Sequence, residues 1–185
     1  MPASFDPERW SQIAARRFHK ACDASRKGAA AQFLRDQRSI PGLIKLVDWA
    51  SSSGLKVSFS RIRNGAYDSS LRELRCSDRM CAENQLFVLL HESGHFDVGN
   101  PGPLDRFGSG YAAVSNPAIK HSMLHRIDVL DEELTAWALG LQRAKDLQID
   151  IDIMRYNRLK ASYVKSYISW ALGTGDYVFD EGKDA

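Results

Sequence analysis

The chain has 185 residues and a formal net charge of +2, with 44% hydrophobic, 26% charged and 10% aromatic residues. This length suits one ordinary domain, and this composition excludes collagen-like, low-complexity and disordered classes. The longest uncharged apolar run covers only residues 86–90, whereas a membrane-spanning helix needs about 20 residues. The amino end lacks the basic and apolar regions of a signal peptide, so we expect a cytoplasmic protein with no membrane partner.

The predicted elements of the first half are mainly helical, with two strands at the end. Asp6 and Pro7 suit the start of a helix, and the Ser51–Gly54 segment suits the end of another. Alternating apolar residues predict a half-buried strand over 55–60, and Asn64–Gly65 is a hairpin signal. In chain order we expect a helix from Asp6 to about Ala24, a break at 25–28, a short helix from Ala29 to about Gln37, a helix beginning at Pro41, the strand 55–60, the hairpin turn, and a strand from Leu71 to Cys76.

The second half is predicted to hold three longer helices. They cover Glu83–Phe96, His121 to about Asp146 and Asp152 to about Leu172, with a long loop from Asn100 to about Ala118. We therefore expect a single α+β domain over residues 1–175. Its core would lie at about 40–145, flanked by helices at 6–37 and 152–172 and followed by a flexible tail at 176–185. An aromatic band on the last helix, including Tyr156, Tyr163 and Trp170, is typical of core or interface packing.

The net charge averages two unlike halves of the chain. Residues 1–80 carry 15 basic and 8 acidic side chains, giving +7, whereas residues 81–185 carry 10 and 15, giving −5. The densest basic group comprises Arg16, Arg17, Lys20, Arg26 and Lys27. Such a run is typical of a solvated helix face, and nucleic-acid binding through this half is the alternative interpretation.

The three cysteines, Cys22, Cys76 and Cys81, show no metal-binding pattern. A structural zinc site built from cysteines repeats a C-x2–4-C pair, and no second pair is present here. An odd count in a chain without a predicted signal peptide indicates free thiols in a reducing compartment.

The segment around His91, Glu92 and His95 carries the pattern H-E-x-x-H. On a helix the two histidines lie about 40° and one turn apart, so both imidazoles can reach one metal ion. Glu92 is turned about 100° from His91, where it can hold and deprotonate a water molecule at the metal. The helical wheel places both histidines centrally on an apolar face that includes Phe87 and Val88. Buried imidazoles need partners, and this setting favours a zinc site.

A catalytic zinc site takes three protein ligands, so a third must come from another element. The helix 121–146 offers three neighbouring carboxylates, Asp131, Glu132 and Glu133. Its apolar stripe, centred near Leu134, predicts that Glu132 points to the opposite side, into solvent. Asp131 and Glu133 lie on the two flanks of the stripe at similar angles, and periodicity does not separate them.

An H-E-x-x-H helix followed some tens of residues later by a helix with E-x-x-A resembles the zincin metallopeptidases with a glutamate third ligand. The small ImmA/IrrE-like peptidases and related phage or plasmid proteins are closest in style. The matching residues here are His91 to His95 and Glu133 to Trp137. The resemblance selects Glu133 over Asp131 as third ligand and covers roughly residues 40–145. It implies a zincin-like fold, a Zn²⁺ cofactor bound by His91, His95 and Glu133, and an intracellular or mobile-element origin.

The resemblance also implies the reaction, which is hydrolysis of a peptide bond in a protein or peptide substrate. Glu92 would activate the water and pass the proton to the leaving amine. An edge strand beside the zinc helix would bind the substrate as an added strand, and Leu71 to Cys76 is the expected edge strand. The alternative is a zincin-fold binding or regulatory protein, with structural or vestigial metal and a partner protein or nucleic acid on the basic half.

Two further candidates could stabilise the oxyanion of the tetrahedral intermediate. His121 and His125 are four residues apart, and they could instead form a second metal site with Asp128. His125 is preferred as a catalytic residue because it lies nearer Glu133. Tyr111, in the loop between the two ligand helices, is the other candidate donor.

Overall fold

The computed structural model describes residues 6, 8–9, 11–13, 15–16, 29–99 and 122–173. This part of the chain is mostly helical with a small three-stranded sheet, as the α+β prediction expects. The predicted break at 25–28, the loop at 100–118 and the tail at 176–185 lie outside the described residues. Its main elements are α1 Ala29–Ser52, β1 Lys56–Ser60, β2 Ala66–Asp68, β3 Glu73–Ser77, α2 Ala82–Gly99, α3 Met123–Asp146 and α4 Ile153–Ala171.

The predicted amino-terminal helix is described only in part. Residues 8, 9, 11–13, 15 and 16 are helical, and the Asp6 carboxylate accepts the backbone N–H groups of Glu8 and Arg9 at 3.0 and 3.2 Å. Asp6 therefore caps the helix, as predicted. Of the predicted basic group, only Arg16 belongs to the described residues.

The prediction of two helices around Pro41 is wrong, because α1 runs unbroken through the proline. A proline inside a helix removes one backbone hydrogen bond and costs about 3 kcal/mol. Here Ile40, Leu43 and Leu46 are buried on both sides of it. Each such apolar side chain contributes about 1.5–3 kcal/mol when buried, so packing outweighs the local penalty. The predicted end is confirmed, since α1 stops at Ser52 and Gly54 has φ of +70°.

The sheet has the order β1–β3–β2. β3 pairs in parallel with β1 and antiparallel with β2. The predicted strand at 71–76 is therefore central, and both its edges are occupied. This corrects the expectation that it is the edge strand for a substrate. β2 is the edge strand that packs beside α2.

The predicted hairpin at Asn64–Gly65 is also wrong, because β1 and β2 lie at opposite edges of the sheet. Gly65 has a packing role instead. A Cβ atom there would stand 2.7 Å from Oε1 of Glu92 and would also collide with Val88. The lack of a side chain lets this segment approach α2 closely.

Helix α2 runs through the core, with nearly every residue from Ala82 to Gly94 buried. The surrounding core includes Leu43 and Leu46 from α1, Leu74 from β3, Trp137 from α3 and Tyr156 from α4. Two glycines allow α2 and α3 to touch at the backbone. A Cβ at Gly94 would strike the carbonyl of Ala136, and one at Gly140 would strike the carbonyl of Leu90.

The ends of the last two helices agree with the prediction. Ser122 accepts the N–H of His125 at 3.1 Å at the start of α3, and Asp152 accepts that of Arg155 at 3.1 Å at the start of α4. Cys76 and Cys81 are thiols that form no disulfide within the described part of the chain, as expected, and Cys22 lies outside it. Within the described part of the chain, no helix combines the length and apolar character needed to cross a bilayer.

Candidate metal centre

His91 and His95 lie on one face of α2, as the motif predicts. Their ring centroids are 4.6 Å apart, and ligand atoms of His91, Glu92 and His95 all lie within 4.8 Å of one another. His91 and Glu92 are buried, and the side chain of His95 is only 12% exposed. The three residues therefore form a cluster that could hold a metal ion.

Glu133 of α3 meets both histidines. Its two carboxylate oxygens lie 3.3 Å from Nε2 of His91 and 3.2 Å from Nε2 of His95. The side chain is only 2% exposed, whereas that of Asp131 is half-buried. Between the two carboxylates that periodicity left open, Glu133 is the one that the fold brings to the histidines.

The spacing of these donor atoms can be compared with zinc geometry. Zinc binds imidazole nitrogen and carboxylate oxygen at about 2.0–2.2 Å, and donors at the corners of such a tetrahedron are about 3.3–3.6 Å apart. The two observed separations between Glu133 and the histidines, 3.3 and 3.2 Å, lie close to that edge length. Two imidazoles and one carboxylate are also an established donor set for catalytic zinc. The residues present therefore fit such an ion.

The apolar stripe predicted for α3 is not its buried face. Ile127 and Leu134 are 50% and 37% exposed, whereas His125, Asp128 and Glu133 are buried. The buried face is rotated by about 100°, one residue around the helix, from the predicted stripe. Three polar side chains thus share the packing face of α3 with small residues and with Trp137.

The prediction that Glu132 points into solvent is wrong. Its side chain is 20% exposed, and Oε1 lies 3.7 Å from Nδ1 of His95. His95 is therefore flanked by carboxylates at both ring nitrogens, Glu133 at one and Glu132 at the other. A carboxylate at the second nitrogen of a metal-binding histidine holds the ring in its ligating orientation.

The charges of the cluster shift one another strongly. Burial alone would lower the pKa of His95, but the Glu133 and Glu132 carboxylates outweigh it and raise that pKa well above its ordinary value. Burial alone would raise the pKa of Glu133, yet His95 and His91 hold it well below its usual range. The carboxylate is thus stabilised in its ionised form, which is the form that binds metal.

Glu92 differs from Glu133 in its surroundings. Burial raises the pKa of Glu92, and the nearby histidines offset this only in part. The backbone N–H of Tyr67 hydrogen-bonds to its carboxylate, and Gly65 packs against it. By distance alone Glu92 could also be a metal ligand, because its carboxylate lies within 4.8 Å of ligand atoms of His91 and His95. Glu133 is nonetheless the better third ligand, because each of its oxygens approaches one histidine nitrogen.

Aromatic side chains support the site from α3 and α4. The ring of Trp137 stacks on His91, with centroids 4.3 Å apart and planes 19° apart. The Tyr156 hydroxyl donates to the carbonyl of Trp137 at 2.8 Å, and Tyr163 meets the Trp137 ring edge-on at 5.7 Å. The part of the predicted aromatic band of α4 that contains Tyr156 and Tyr163 therefore packs in the core. It also fixes the position of a histidine in the cluster.

The other predicted site residues lie elsewhere. His125 is fully buried on α3, eight residues before Glu133 and so about 12 Å away along the helix axis. Its ring meets Trp170 edge-on at 6.1 Å. The fold does not bring it into the cluster, and its oxyanion role stays a prediction. Tyr111 and His121 lie outside the described residues.

Sequence reasoning missed Glu132, Gly65 and Tyr67 as neighbours of the site. Gly94 and Gly140 carried a usable signal, because a glycine in a helix interior costs about 1 kcal/mol relative to alanine and needs a reason. The contribution of Tyr67 depends on its backbone, and no residue type would reveal it. Comparison of the chain with protein-family models, curated proteins and solved structures found no match.

Proposed function

We propose that this protein is a zinc metallopeptidase with a zincin-like arrangement of helices and sheet. His91, His95 and Glu133 would hold the metal, and Glu92 would act as general base. The observation that carries the proposal is the convergence of both histidine Nε2 atoms on the Glu133 carboxylate, at 3.3 and 3.2 Å, with Glu92 beside them.

The two glutamates of the site suit different tasks. Glu133 is held ionised by the histidines, as a ligand must be. Glu92 has a raised pKa because it is buried, so it holds a proton more readily than an exposed glutamate does. A carboxylate of this kind can accept a proton from water and deliver it to the departing amine. When bound, zinc would polarise the scissile carbonyl and make a water molecule beside it more acidic.

An extended peptide is the substrate best supported by the sheet. β2 pairs with β3 on one side only, and no strand pairs with its other edge in the described part of the chain. The Tyr67 N–H on β2 reaches Glu92, which means that this strand runs directly beside the proposed base. A peptide added to the edge of β2 would lie across the site. The substrate strand is thus proposed at 66–68 in place of 71–76.

The test is Glu92→Gln, compared with Glu83→Gln as a matched control. Both residues are buried glutamates on α2, but Glu83 pairs with Arg155 at 2.7 Å, away from the histidines. Cleavage of a library of quenched fluorescent peptides by the zinc-loaded protein is measured for each variant. Glu92→Gln should keep its zinc and lose about 10²–10⁴-fold in rate, the usual contribution of a general base.

Glu83→Gln should lose stability but retain both zinc and the wild-type rate per folded molecule. Circular dichroism checks folding, and elemental analysis of protein purified without chelator gives the zinc content. Wild-type protein that binds no zinc would refute the proposal. Cleavage that survives Glu92→Gln unchanged would refute the role of this residue.

A further inference from the structure

A second polar cluster lies on α3, apart from the proposed zinc centre. His125 is 0% exposed and Asp128 is 3% exposed. Both ring nitrogens of His125 and both carboxylate oxygens of Asp128 are buried, and they have no hydrogen-bond partner among the residues that the structure describes. A buried polar group without a partner costs about 1–3 kcal/mol, and more if it is charged. Four such atoms on two neighbouring side chains need a physical explanation.

The two residues are three positions apart, which places them on the same face of α3. Neither hydrogen-bonds to the other, although the His125 ring lies close enough to favour the ionised form of Asp128. The nitrogen atoms of His125 and the oxygen atoms of Asp128 could therefore both contact a bound ion or molecule. A His–carboxylate pair at this spacing also occurs in helical bundles that bind metal through an i, i+3 motif.

The charge around Asp128 indicates a cation. Burial raises the pKa of Asp128, and Asp131 and Glu132 raise it further, with only His125 acting in the opposite direction. Glu132 faces His95, so its charge already has a partner in the first cluster. Water could satisfy the four hydrogen-bonding atoms at His125 and Asp128, but it carries no charge to offset the buried Asp128 carboxylate. The amino-terminal end of a helix contributes only about half a positive charge.

We propose that His125 and Asp128 bind a second divalent metal ion, separate from the His91–His95–Glu133 centre. Imidazole nitrogen with carboxylate oxygen suits Zn²⁺ or Mn²⁺ better than Ca²⁺, which prefers oxygen ligands alone. Two protein ligands leave several positions for water, so this ion binds more weakly than the first. The site does not depend on peptidase activity.

Calorimetric titration of the metal-stripped full chain with Zn²⁺, and separately with Mn²⁺, tests the proposal. Wild type should bind two equivalents of Zn²⁺ per chain. Asp128→Asn keeps the shape of the side chain and should weaken the second equivalent at least about tenfold, since even outer partners of metal ligands have effects of that size. His125→Gln should do the same. Asp131→Asn is the matched control, because it removes a neighbouring carboxylate that we do not assign as a ligand.

His95→Gln distinguishes a failure of this proposal from a failure of the proposed function. It should abolish binding of the first, tightly bound Zn²⁺ and leave binding of the second, weaker Zn²⁺ unchanged. Without metal, Asp128→Asn should unfold at the wild-type temperature or higher, because it removes a buried charge. Added Zn²⁺ should then stabilise wild type more than the variant. A single equivalent in wild type, or equal losses in Asp128→Asn and Asp131→Asn, would overturn the second site whatever the outcome for cleavage.

Discussion

Helices α2 and α3 supply the cluster together, but they relate differently to their own sequences. In α2 the apolar face and the functional residues coincide, so His91 is buried and His95 is mostly buried where periodicity expects them. In α3 the apolar stripe is partly exposed, and the buried face carries His125, Asp128 and Glu133. Hydrophobic periodicity therefore locates the buried face of α2 but not that of α3, where small residues and three polar side chains do the packing while several larger apolar residues are exposed.

The largest expected effect concerns the carboxylates of α3. Glu133→Ala should weaken zinc binding by more than about 100-fold, because a direct ligand contributes more than the 10–100-fold typical of outer partners. Asp131→Ala removes the half-buried neighbour and should leave zinc affinity near wild type. Competition with a chromogenic chelator measures both affinities. Equal affinities in the two variants would show that α3 contributes no ligand at position 133.

The next largest effect is expected on stability, at the close contact that sets the rotation of α3 against α2. Gly94→Ala would push a methyl group into the Ala136 carbonyl, and such overpacking typically costs about 1–3 kcal/mol. Gly99→Ala is the control on the same helix, since its Cβ would meet only Tyr67, at 4.0 Å. Urea unfolding of the metal-free proteins gives the free energy of unfolding. A Gly94→Ala variant as stable as Gly99→Ala would mean that the two helices are not held in contact here.

The smallest effect is expected at Glu132, which sequence periodicity placed in solvent. Glu132→Gln removes the charge opposite Nδ1 of His95 and should weaken zinc binding by about tenfold, the lower end for an orienting partner. The fold should be unaffected, because the side chain is partly exposed. The readout is again chelator competition, with Asp131→Asn as control. Unchanged affinity would indicate that Glu132 only lies near the histidine without orienting it.

Local interactions account for most of what could be predicted. The ends of α3 and α4 follow from capping residues a few positions away. The length of α1 could not be predicted from local interactions, because packing against distant side chains outweighs the local penalty at Pro41. Strand order was also missed, since Gly65 serves a contact with α2 that no local turn signal encodes.

The sequence by itself determined the His91–Glu92–His95 arrangement, because residues one helical turn apart share a face whenever the helix forms. It also narrowed the candidate third ligands to two carboxylates of one helix, although it wrongly placed Glu132 in solvent. Only the tertiary structure brought one of the two, Glu133, to the histidines. The rotation of α3 is set by its close contacts with α2 at Gly94 and Gly140, and these join residues some 40 to 50 positions apart. The same rotation brought Glu132 to His95 and buried His125 with Asp128.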